Sequence, residues 1–518
     1  MKVVLGKYFT MIPLLLLCLY FTWRAIDFPL HDFANYYFGS TFLANGTFDT
    51  AIYFPFLFNQ SIADLGQRSV FASYAPNSPF LALLFLPFSF FKIGIAKLIF
   101  NVLSSALFLF GLNRWVWFYK INPTYLLLIP ILFFVPIKNE LLFGQVYFLL
   151  FFLLSESWIA YEKKQFKLMA VCLGLAVVLK IFPILLLLVF LFRKQFRPLL
   201  YVLISIGTLI LISILVGGSA IWLFYVSQVL TKAAQGEISE AYVDNYQSVF
   251  MFLKRLFVFD SVENSTAFLN CPLLFSALVL AIKSIVVVAG YYVSKKSTAS
   301  LLVISYWILT MLLISPYGST YTFILLLFPF FALIKSNISI QKKTIGLLLL
   351  LAINNVPLAY FAGLSFPFSY LRLLCFLLFT GVVISLCYKH ISFKITTIVG
   401  LIFLLIIFGW KKNGTETLTE LVDKDAPILI YDYTVTLNQL TYFYWNENGK
   451  NSKTIPFKSN QSTKAGLSNN QVFYKGKRIL SDHNNKLKPM VIDNNVLIYL
   501  SDQDRGIGFY NLRKIRIH

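Results

Sequence analysis

The sequence predicts an all-α polytopic membrane protein with a small β-rich soluble domain at its C-terminal end. Of its 518 residues, 58% are hydrophobic and only 13% are charged, and the mean hydropathy is +0.74. A chain this apolar cannot cover itself with a polar surface, so a soluble fold is excluded. Apolar runs of roughly 18 residues or more, long enough to cross hydrocarbon as helices, recur along the chain and predict about 11 spanning helices plus re-entrant segments.

The net charge of +22 indicates membrane orientation and not nucleic-acid binding, because Lys and Arg concentrate in the cytoplasmic loops of membrane proteins. The basic clusters along this chain place the N-terminus in the cytoplasm. The segments facing the opposite side then include 27–78, 218–271 and everything after Trp410. We expect a multi-pass protein of the plasma (inner) membrane, in contact with membrane lipids, whose C-terminal part is extracytoplasmic.

Two stretches interrupt the alternation of spans and loops. The apolar run 79–91 begins at a proline and is too short to cross, so we expect a partial or re-entrant segment. The run 168–192 has basic loops at both ends and is broken by Lys180-Ile181-Phe182-Pro183, where proline and charge both resist a continuous buried helix. A hairpin with Lys180 at its outer tip fits these features, and a single kinked span is the alternative.

The chain divides near residue 410 into a transmembrane domain, 1–410, and an extracytoplasmic β-rich domain, 411–518. After Trp410 short β-like runs, such as 427–431 and 496–500, alternate with polar loops. The segment 499–510 is interpreted as a strand, a tight turn and a second strand.

Asp32 lies in the first outer loop, directly after the first predicted span, and aromatic residues typical of the membrane interface follow it. A carboxylate held at this depth can accept a proton from an incoming hydroxyl group. It can equally be a solvated surface charge, and Asp27 is the nearest alternative acid. On the residues alone, Asp32 is therefore a candidate general base.

Lys180 is the most informative single residue, because an unpaired cation near the membrane is costly and usually marks the path of an ion or ligand. A phosphate is its natural partner, although the side chain can also extend to the interface. Gln145, at the outer mouth of a predicted span, can hydrogen-bond a substrate or join two helices. Asn245, Gln247 and Arg255 gather polar and cationic groups in the large outer loop, where a donor head group would lie; a solvated loop is the alternative.

Several signatures of other chemistries do not occur in the sequence. It contains no Walker A loop, no HExxH or GxSxG motif, no dinucleotide-binding glycine pattern, and no DxD pair near Asp32. The five cysteines show no CxxC spacing, which argues against a disulfide framework or a zinc site. We therefore expect no metal and no cofactor, and a nucleotide-sugar donor is disfavoured.

Five features follow one another in a distinctive order. They are Asp-Phe-x-x-Tyr-Tyr from Asp32 to Tyr37, Tyr74 with Pro76 and Pro79, Gly144-Gln145, Lys180-x-Phe-Pro, and Asn245-x-Gln-Ser, with Ser315-Pro316 as a sixth. Over about residues 8–335, this series resembles the GT-C glycosyltransferases. The resemblance is strongest to glycosyltransferase family 87, the polyprenyl-phosphate-mannose-dependent mannosyltransferase-like group.

The resemblance implies a GT-C fold and a membrane enzyme that moves a single, mannose-like sugar from a polyprenyl-phosphate donor to an extracytoplasmic lipid or glycan acceptor, inverting and without a metal. Asp32 matches the family's acid in the first outer loop and would be the catalytic base. The chain departs from the family after Ser315-Pro316, where Tyr317 to Tyr321 follow and leave the acceptor contacts open. The expected substrate-binding residues are Lys180, Tyr36, Tyr37, Tyr74, Gln145, Asn245, Gln247 and Arg255.

Three other functions stay open on the sequence. A lipid or saccharide transporter or flippase also needs many spans and buried polar residues, although the two related halves common in transporters are not detectable here. An oligosaccharide ligase or polymerase would use a long lipid-linked glycan as its donor. A binding module would place the function in 411–518 and use the spans as an anchor.

Overall fold

The structure of the chain, a computed structural model, describes most of the sequence. The described residues are 9–67, 70–240, 242, 246–260, 263–362, 364–387, 391, 395–401, 419–421, 429–446, 449–459, 461–482 and 484–517. Up to residue 401 they form a helical body, and from residue 419 onward they form β-strands. Both parts of the predicted fold class, the apolar helices and the β-rich C-terminal region, are therefore present.

The body consists of helices of very different lengths, several of which begin at a proline in the first turn, where a missing backbone N–H costs nothing. The α-helices are Ile12–Arg24, Asp32–Ala44, Pro55–Asp64, Pro79–Phe85, Ile93–Phe118, Ile129–Leu132, Phe134–Phe143, Tyr147–Glu162, Phe166–Leu179, Leu187–Phe192, Phe196–Gly217, Ser219–Phe224, Leu230–Ala234, Val249–Phe257, Pro272–Lys296, Ser300–Ile314, Leu327–Lys335, Ile340–Asn355, Leu358–Ala362 and Leu371–Cys387.

Shorter 3-10 turns and one π-helical turn connect several of these helices and let the chain change direction inside the body. The 3-10 turns are Thr50–Tyr53, Leu86–Phe90, Pro123–Leu128, Phe182–Leu186, Thr320–Leu326 and Phe368–Tyr370, and the π-helical turn is Tyr225–Val229.

Membrane-spanning helices are identified by length and apolar composition. Within the described part of the chain, four helices meet both conditions: Ile93–Phe118, Phe196–Gly217, Pro272–Lys296 and Phe368–Cys387. A fifth results if Pro123–Leu132 and Phe134–Phe143, which meet at a bend of 68°, count as one span. The chain is thus a membrane protein, whereas the predicted number of about 11 spans is not confirmed, because most of the other apolar helices are shorter.

The segment 79–91 does not form a full span. Its helix Pro79–Phe85 passes into the 3-10 turn Leu86–Phe90, and the long helix Ile93–Phe118 begins directly afterwards. A helix this short cannot cross ~30 Å of hydrocarbon. It matches the short partial segment that the proline and the length of the apolar run predict.

The segment around Lys180 turns back on itself. The helix Phe166–Leu179 ends there, and Lys180 has an extended backbone. The end of this segment lies beside its beginning. Tyr161 Oη donates to Gln195 Oε1 over 2.6 Å, and Arg193 donates to Tyr161 Oη over 2.9 Å. This is the hairpin predicted for the segment, with Lys180 at its far end, and not the alternative single kinked span.

The C-terminal region is built of antiparallel strands. One sheet has the order β1-β11-β10-β9-β5, and two three-stranded sheets have the orders β2-β3-β4 and β6-β7-β8. The strands are β1 Thr419–Glu420, β2 Leu429–Thr436, β3 Gln439–Asn446, β4 Gly449–Pro456, β5 Ser462–Lys464, β6 Gly466–Ser468, β7 Gln471–Tyr474, β8 Lys477–Ser481, β9 Lys486–Ile492, β10 Val496–Ser501 and β11 Asn511–Arg516.

The connection between β10 and β11 differs from the expected tight turn. The two strands pair as predicted, but residues 502–510 between them form a longer loop, most of which is buried. The tight-turn interpretation is therefore wrong. The physical reason is that this loop packs against the helical body, with Gly506 N–H donating to Ser239 O over 2.8 Å. We call residues 502–510 the docked loop.

Candidate active site

A cavity of ≈ 710 Å³ lies in the helical body and is lined by residues that are far apart in the sequence. Asp32, Gln145 and Lys180 all line it, as do Asn77 and Tyr36. Its size is within the range of pockets that hold small molecules. The fold thus brings the three most important predicted site residues into a single space.

Asp32 is the first residue of the helix Asp32–Ala44. The side-chain N–H of Gln145 donates to Asp32 Oδ2, and Tyr36 Oη donates to Gln145 Oε1 over 2.7 Å. Because the amide oxygen accepts from Tyr36, the amide nitrogen must face the carboxylate. This chain of hydrogen bonds fixes the orientation of Asp32 inside the cavity.

Gly144 places Gln145 against Asp32. It ends the helix Phe134–Phe143 with a φ of 65°, a left-handed conformation that favours glycine. A Cβ at this position would also lie 2.8 Å from Phe33 Cβ. Since Phe33 follows Asp32 directly, the glycine allows the two segments to approach closely enough for Gln145 to reach the carboxylate.

The environment of Asp32 changes its basicity. Burial disfavours the charged form and raises the pKa of Asp32 above its ordinary value, while the hydrogen bond from Gln145 and the positive charge of Lys180 act in the opposite direction. The net direction is upward. A carboxylate with a raised pKa is a stronger base, which suits removal of a proton from a hydroxyl group.

Lys180 faces the same cavity but is not paired with the acid. Its Nζ donates to Asn77 Oδ1 over 3.0 Å and lies 6.0 Å and 5.9 Å from the ring centres of Tyr36 and Tyr147. Among the described residues, Asp32 and Lys180 form no ion pair with each other within 4.0 Å. The cavity therefore holds an acid and a cation whose charges are not cancelled by a direct contact, which leaves room for a ligand with its own charge.

Tyr37 and Tyr74, two predicted substrate-binding residues, are not among the residues that line this cavity. Tyr37 Oη donates to Phe91 O over 2.8 Å, and Tyr74 is buried and donates to Ser78 O over 3.1 Å. Tyr74 instead shapes the turn that carries Asn77, the hydrogen-bond partner of Lys180. In the structure its part in the site is therefore indirect.

Gln247 and Arg255 also lie away from the cavity lining. The Gln247 amide donates to Ser369 O over 3.1 Å, and the Arg255 guanidinium is 5.5 Å from the ring centre of Tyr242. Asn245, the remaining predicted substrate-binding residue, lies outside the described residues.

Eight aromatic residues that line the cavity were not predicted as binding residues: Phe71, Tyr147, Phe182, Tyr225, Tyr246, Tyr317, Tyr321 and Phe509. Tyr317 and Tyr321 lie in the segment where the sequence departs from the family pattern. Tyr147 follows Gln145 by two positions, a proximity that a closer analysis of this segment could have used. Phe509 carries no such signal, because its place in the cavity depends on how the docked loop meets the body.

A metal site would need several His, Cys, Asp or Glu side chains close together. Within the described ranges, no group of three or more such residues is positioned to hold a metal ion. The polar groups that line the cavity include the carboxylate of Asp32, the lysines Lys180 and Lys283, His31, and several amides, hydroxyls and phenols.

Apolar spanning helices around a cavity with an oriented acid and a separate cation define a membrane protein that handles a polar ligand. Residues 76–316 match the family model described as glycosyltransferase family 87. Over these residues the resemblance predicted from the sequence is confirmed, and the match indicates a glycosyltransferase of the membrane. Gln145 and Lys180 lie inside the matched residues, whereas Asp32 and the docked loop lie outside them. Among curated proteins, none matches the chain significantly.

Proposed function

We propose that the protein transfers a single, mannose-like sugar from a polyprenyl-phosphate donor to a lipid or glycan acceptor at the extracytoplasmic face of the plasma membrane. The observation that carries this proposal is the shared cavity of Asp32 and Lys180. A transferase of this kind needs a base for the acceptor hydroxyl and a positive charge for the phosphate that leaves. The cavity supplies both kinds of group.

The reaction is a direct displacement. Asp32 takes the proton of the acceptor hydroxyl, whose oxygen forms a bond to the anomeric carbon of the donor sugar as the bond from that carbon to the phosphate oxygen breaks. The product is an inverted glycoside, and the polyprenyl phosphate leaves with the electron pair of the broken bond. The hydrogen bonds from Tyr36 to Gln145 and from Gln145 to Asp32 keep the carboxylate in position for this step.

Lys180 stabilises the negative charge that develops on the departing phosphate. Its position is fixed by Asn77, whose backbone oxygen in turn accepts a hydrogen bond from Tyr53 Oη over 2.9 Å. Preorganised charge of this kind favours the transition state over the ground state. Because polyprenyl phosphate is a good leaving group, positioning and charge neutralisation account for most of the catalysis.

The lipid chain of the donor approaches along the apolar part of the cavity lining. Ile184 and Leu185 of the hairpin and Leu312 and Ile314 of the helix Ser300–Ile314 form part of that lining. A polyprenyl chain can stay in hydrocarbon while its phosphate reaches Lys180. The basic clusters of the sequence predict that this end of the body lies outside the cytoplasm.

The proposal is tested with purified protein in liposomes. Radiolabelled polyprenyl-phosphate mannose, polyprenyl-phosphate glucose, a lipid-linked oligosaccharide and GDP-mannose are supplied in parallel, with extracted membrane lipids and alkyl glycosides as acceptors. We expect a new glycosidic product from polyprenyl-phosphate mannose and none from the nucleotide sugar.

Two results would overturn this assignment. Transfer from the lipid-linked oligosaccharide alone would identify an oligosaccharide ligase or polymerase. Movement of the labelled lipid across the bilayer, with no new glycosidic bond from any donor, would identify a transporter.

A further inference from the structure

The docked loop is the part of the C-terminal region that contacts the helical body at the cavity. Its Phe509 lines the cavity, next to Ile238 and Ser239 of the large outer loop. Phe509 is only 2% exposed in the whole chain. A side chain from the C-terminal β-rich region therefore forms part of the wall of the candidate active site.

The attachment of the loop leaves no room for a side chain at Gly506. Its N–H donates to Ser239 O over 2.8 Å, and a Cβ there would lie 1.9 Å from Ile238 O. The next glycine, Gly508, has a φ of 70° and packs against Phe54. Two positions of this loop thus require glycine, one for close backbone approach and one for its conformation.

Lys232, a buried residue of the helical body, holds the docked loop in place. Lys232 Nζ donates to Asp502 O over 2.6 Å and to Arg505 O over 2.9 Å, and it lies 3.3 Å from Asp502 Oδ1. Asp502 Oδ2 accepts from the N–H of Gly508 over 3.0 Å. Arg505 pairs with Glu263 of the large outer loop. The loop is therefore held in one conformation before any ligand binds, which lowers the entropy cost of binding.

Two different surfaces meet in the cavity. One consists of apolar side chains of the helical body, among them Ile184 and Leu312, and suits a lipid chain. The other is contributed by Phe509 of the docked loop together with tyrosines of the helical body.

Aromatic rings line this side of the cavity. Phe509 shares the cavity with Tyr225, Tyr246 and Tyr317, and the rings of Tyr246 and Tyr317 are 5.3 Å apart. Aromatic rings bury the apolar faces of a bound molecule, while the phenol groups of tyrosine can meet its hydroxyls. A sugar ring presents both kinds of surface.

We infer that Phe509 of the docked loop forms one wall of the acceptor subsite and selects a glycan acceptor by packing against its sugar ring. This inference rests on the proposed function, since it names the class of the acceptor for that same reaction. Phe509 is a specificity residue here and takes no part in proton transfer. A lipid acceptor without a sugar ring would gain nothing from this wall.

The first test compares Phe509→Leu and Phe509→Trp with the wild-type protein. Octyl mannoside, the corresponding disaccharide glycoside and a long-chain alcohol serve as acceptors. We expect Phe509→Leu to raise KM for the glycosides by about tenfold, with KM for the lipid-linked donor unchanged. The larger Trp changes the preference between the mono- and disaccharide glycosides.

Tyr510→Leu is the matched control. Tyr510 is the adjacent aromatic residue, is similarly buried at 6% exposure, and packs in the core of the β-rich region with Ile430 and Tyr433 instead of lining the cavity. The Tyr510→Leu variant should lower the melting temperature as much as Phe509→Leu does and leave the acceptor KM unchanged. An equal change in acceptor KM in both variants would show a merely structural role and overturn the inference.

A second test does not depend on catalysis. Phe509→Cys is reacted with a thiol reagent, with the native protein as the background, in the presence of octyl mannoside or of polyprenyl phosphate. Protection by octyl mannoside alone supports the acceptor subsite. Protection by polyprenyl phosphate alone, or by the long-chain alcohol in place of the glycoside, overturns it.

The two tests separate this inference from the proposed function. If the wild-type protein forms no glycosidic bond from any donor, the proposed function fails, whatever the labelling shows. A second outcome is that transfer occurs while the acceptor KM does not respond to the changes at Phe509 and octyl mannoside does not protect Phe509→Cys from the thiol reagent. In that case only the acceptor inference fails.

Discussion

Two groups of charged residues in this protein are built in opposite ways. Asp32 and Lys180 line one cavity and form no direct ion pair with each other, although both are described in full. Lys232, by contrast, lies 3.3 Å from carboxylate oxygens of both Asp502 and Glu237 and donates to two backbone carbonyls as well. The charges of Asp32 and Lys180 stay available to a ligand, whereas the charge of Lys232 is neutralised by contacts within the fold.

The difference follows from the cost of burying charge. An ion taken out of water is stable only with partners, so a protein whose charges serve structure surrounds them with opposite charges and dipoles. A charge that has only dipolar partners and no direct ion pair is less fully compensated, and such a charge is kept where function needs it. The Asp32 and Lys180 pair is of the second kind, and the Lys232 group is of the first. Substitutions at the two groups should therefore affect different measurements.

The largest effect is expected for Asp32→Asn. The amide cannot accept the acceptor proton, so transfer should fall by about 10³-fold, while expression, melting temperature and binding of polyprenyl-phosphate mannose stay near those of the wild-type protein. Product formation is measured under single-turnover conditions. Asp27→Asn, an exposed acid in the same outer loop, is the control and should retain full activity. Full activity of Asp32→Asn would remove Asp32 from the mechanism.

Lys180→Gln should reduce transfer by about 10²-fold, because the departing phosphate loses its positive partner. The amide can still donate to Asn77, and the removal of a cation that forms no direct ion pair with Asp32 should leave the melting temperature unchanged or higher. Lys180→Arg, which keeps the charge, should recover part of the rate. Lys92→Gln replaces an exposed lysine and serves as the control. A melting temperature lowered as strongly as in the Lys232 variant below would make Lys180 a structural residue.

Lys232→Met should show the opposite pattern. It leaves Asp502 and Glu237 buried without their cation, and breaking a buried pair from one side costs about 3 kcal/mol. We expect a lower melting temperature and easier proteolysis of residues 502–510, measured by gel analysis of cleavage products. Lys488→Met, at a half-exposed pair with Asp432, is the control and should change stability little. Unchanged proteolysis in Lys232→Met would mean that the lysine does not hold the docked loop.

The same contrast explains what the sequence could predict. Asp32, Gln145 and Lys180 were identifiable because each polar residue stands at the edge of an apolar run, where a buried charge or amide is costly and therefore informative. The docked loop offers no such signal: Lys232 meets Asp502 across 270 positions, and residues 502–510 have the composition of an ordinary turn. For Tyr74 the sequence indicated a motif but not the role of the residue. Only the fold shows that Tyr74 shapes the turn that carries Asn77 and does not line the cavity.

The number of membrane-spanning helices could not be predicted from the sequence for a related reason. An apolar run predicts burial in lipid or in protein, and periodicity alone does not separate the two. Helices such as Ser300–Ile314 and Leu327–Lys335 are buried almost throughout by other helices. The hairpin at Lys180 was more predictable. Basic residues at both ends of one apolar run favour the same side of the membrane for both ends, so the run must turn back on itself.

The smallest expected effect is a shift in the pH dependence of transfer. Asp32 must be deprotonated to act as a base, so kcat/KM should fall as the pH drops through its pKa, and burial places this midpoint above the ordinary value for aspartate. The hydrogen bond from Gln145 favours the charged carboxylate and holds the midpoint down. Gln145→Leu should therefore move the midpoint to higher pH, and Tyr36→Phe, which removes the hydrogen bond to Gln145, should move it less. Tyr37→Phe, outside the cavity lining, should not move it. An unchanged midpoint in Gln145→Leu would mean that the titrating group is not Asp32, because this amide donates a hydrogen bond directly to the Asp32 carboxylate.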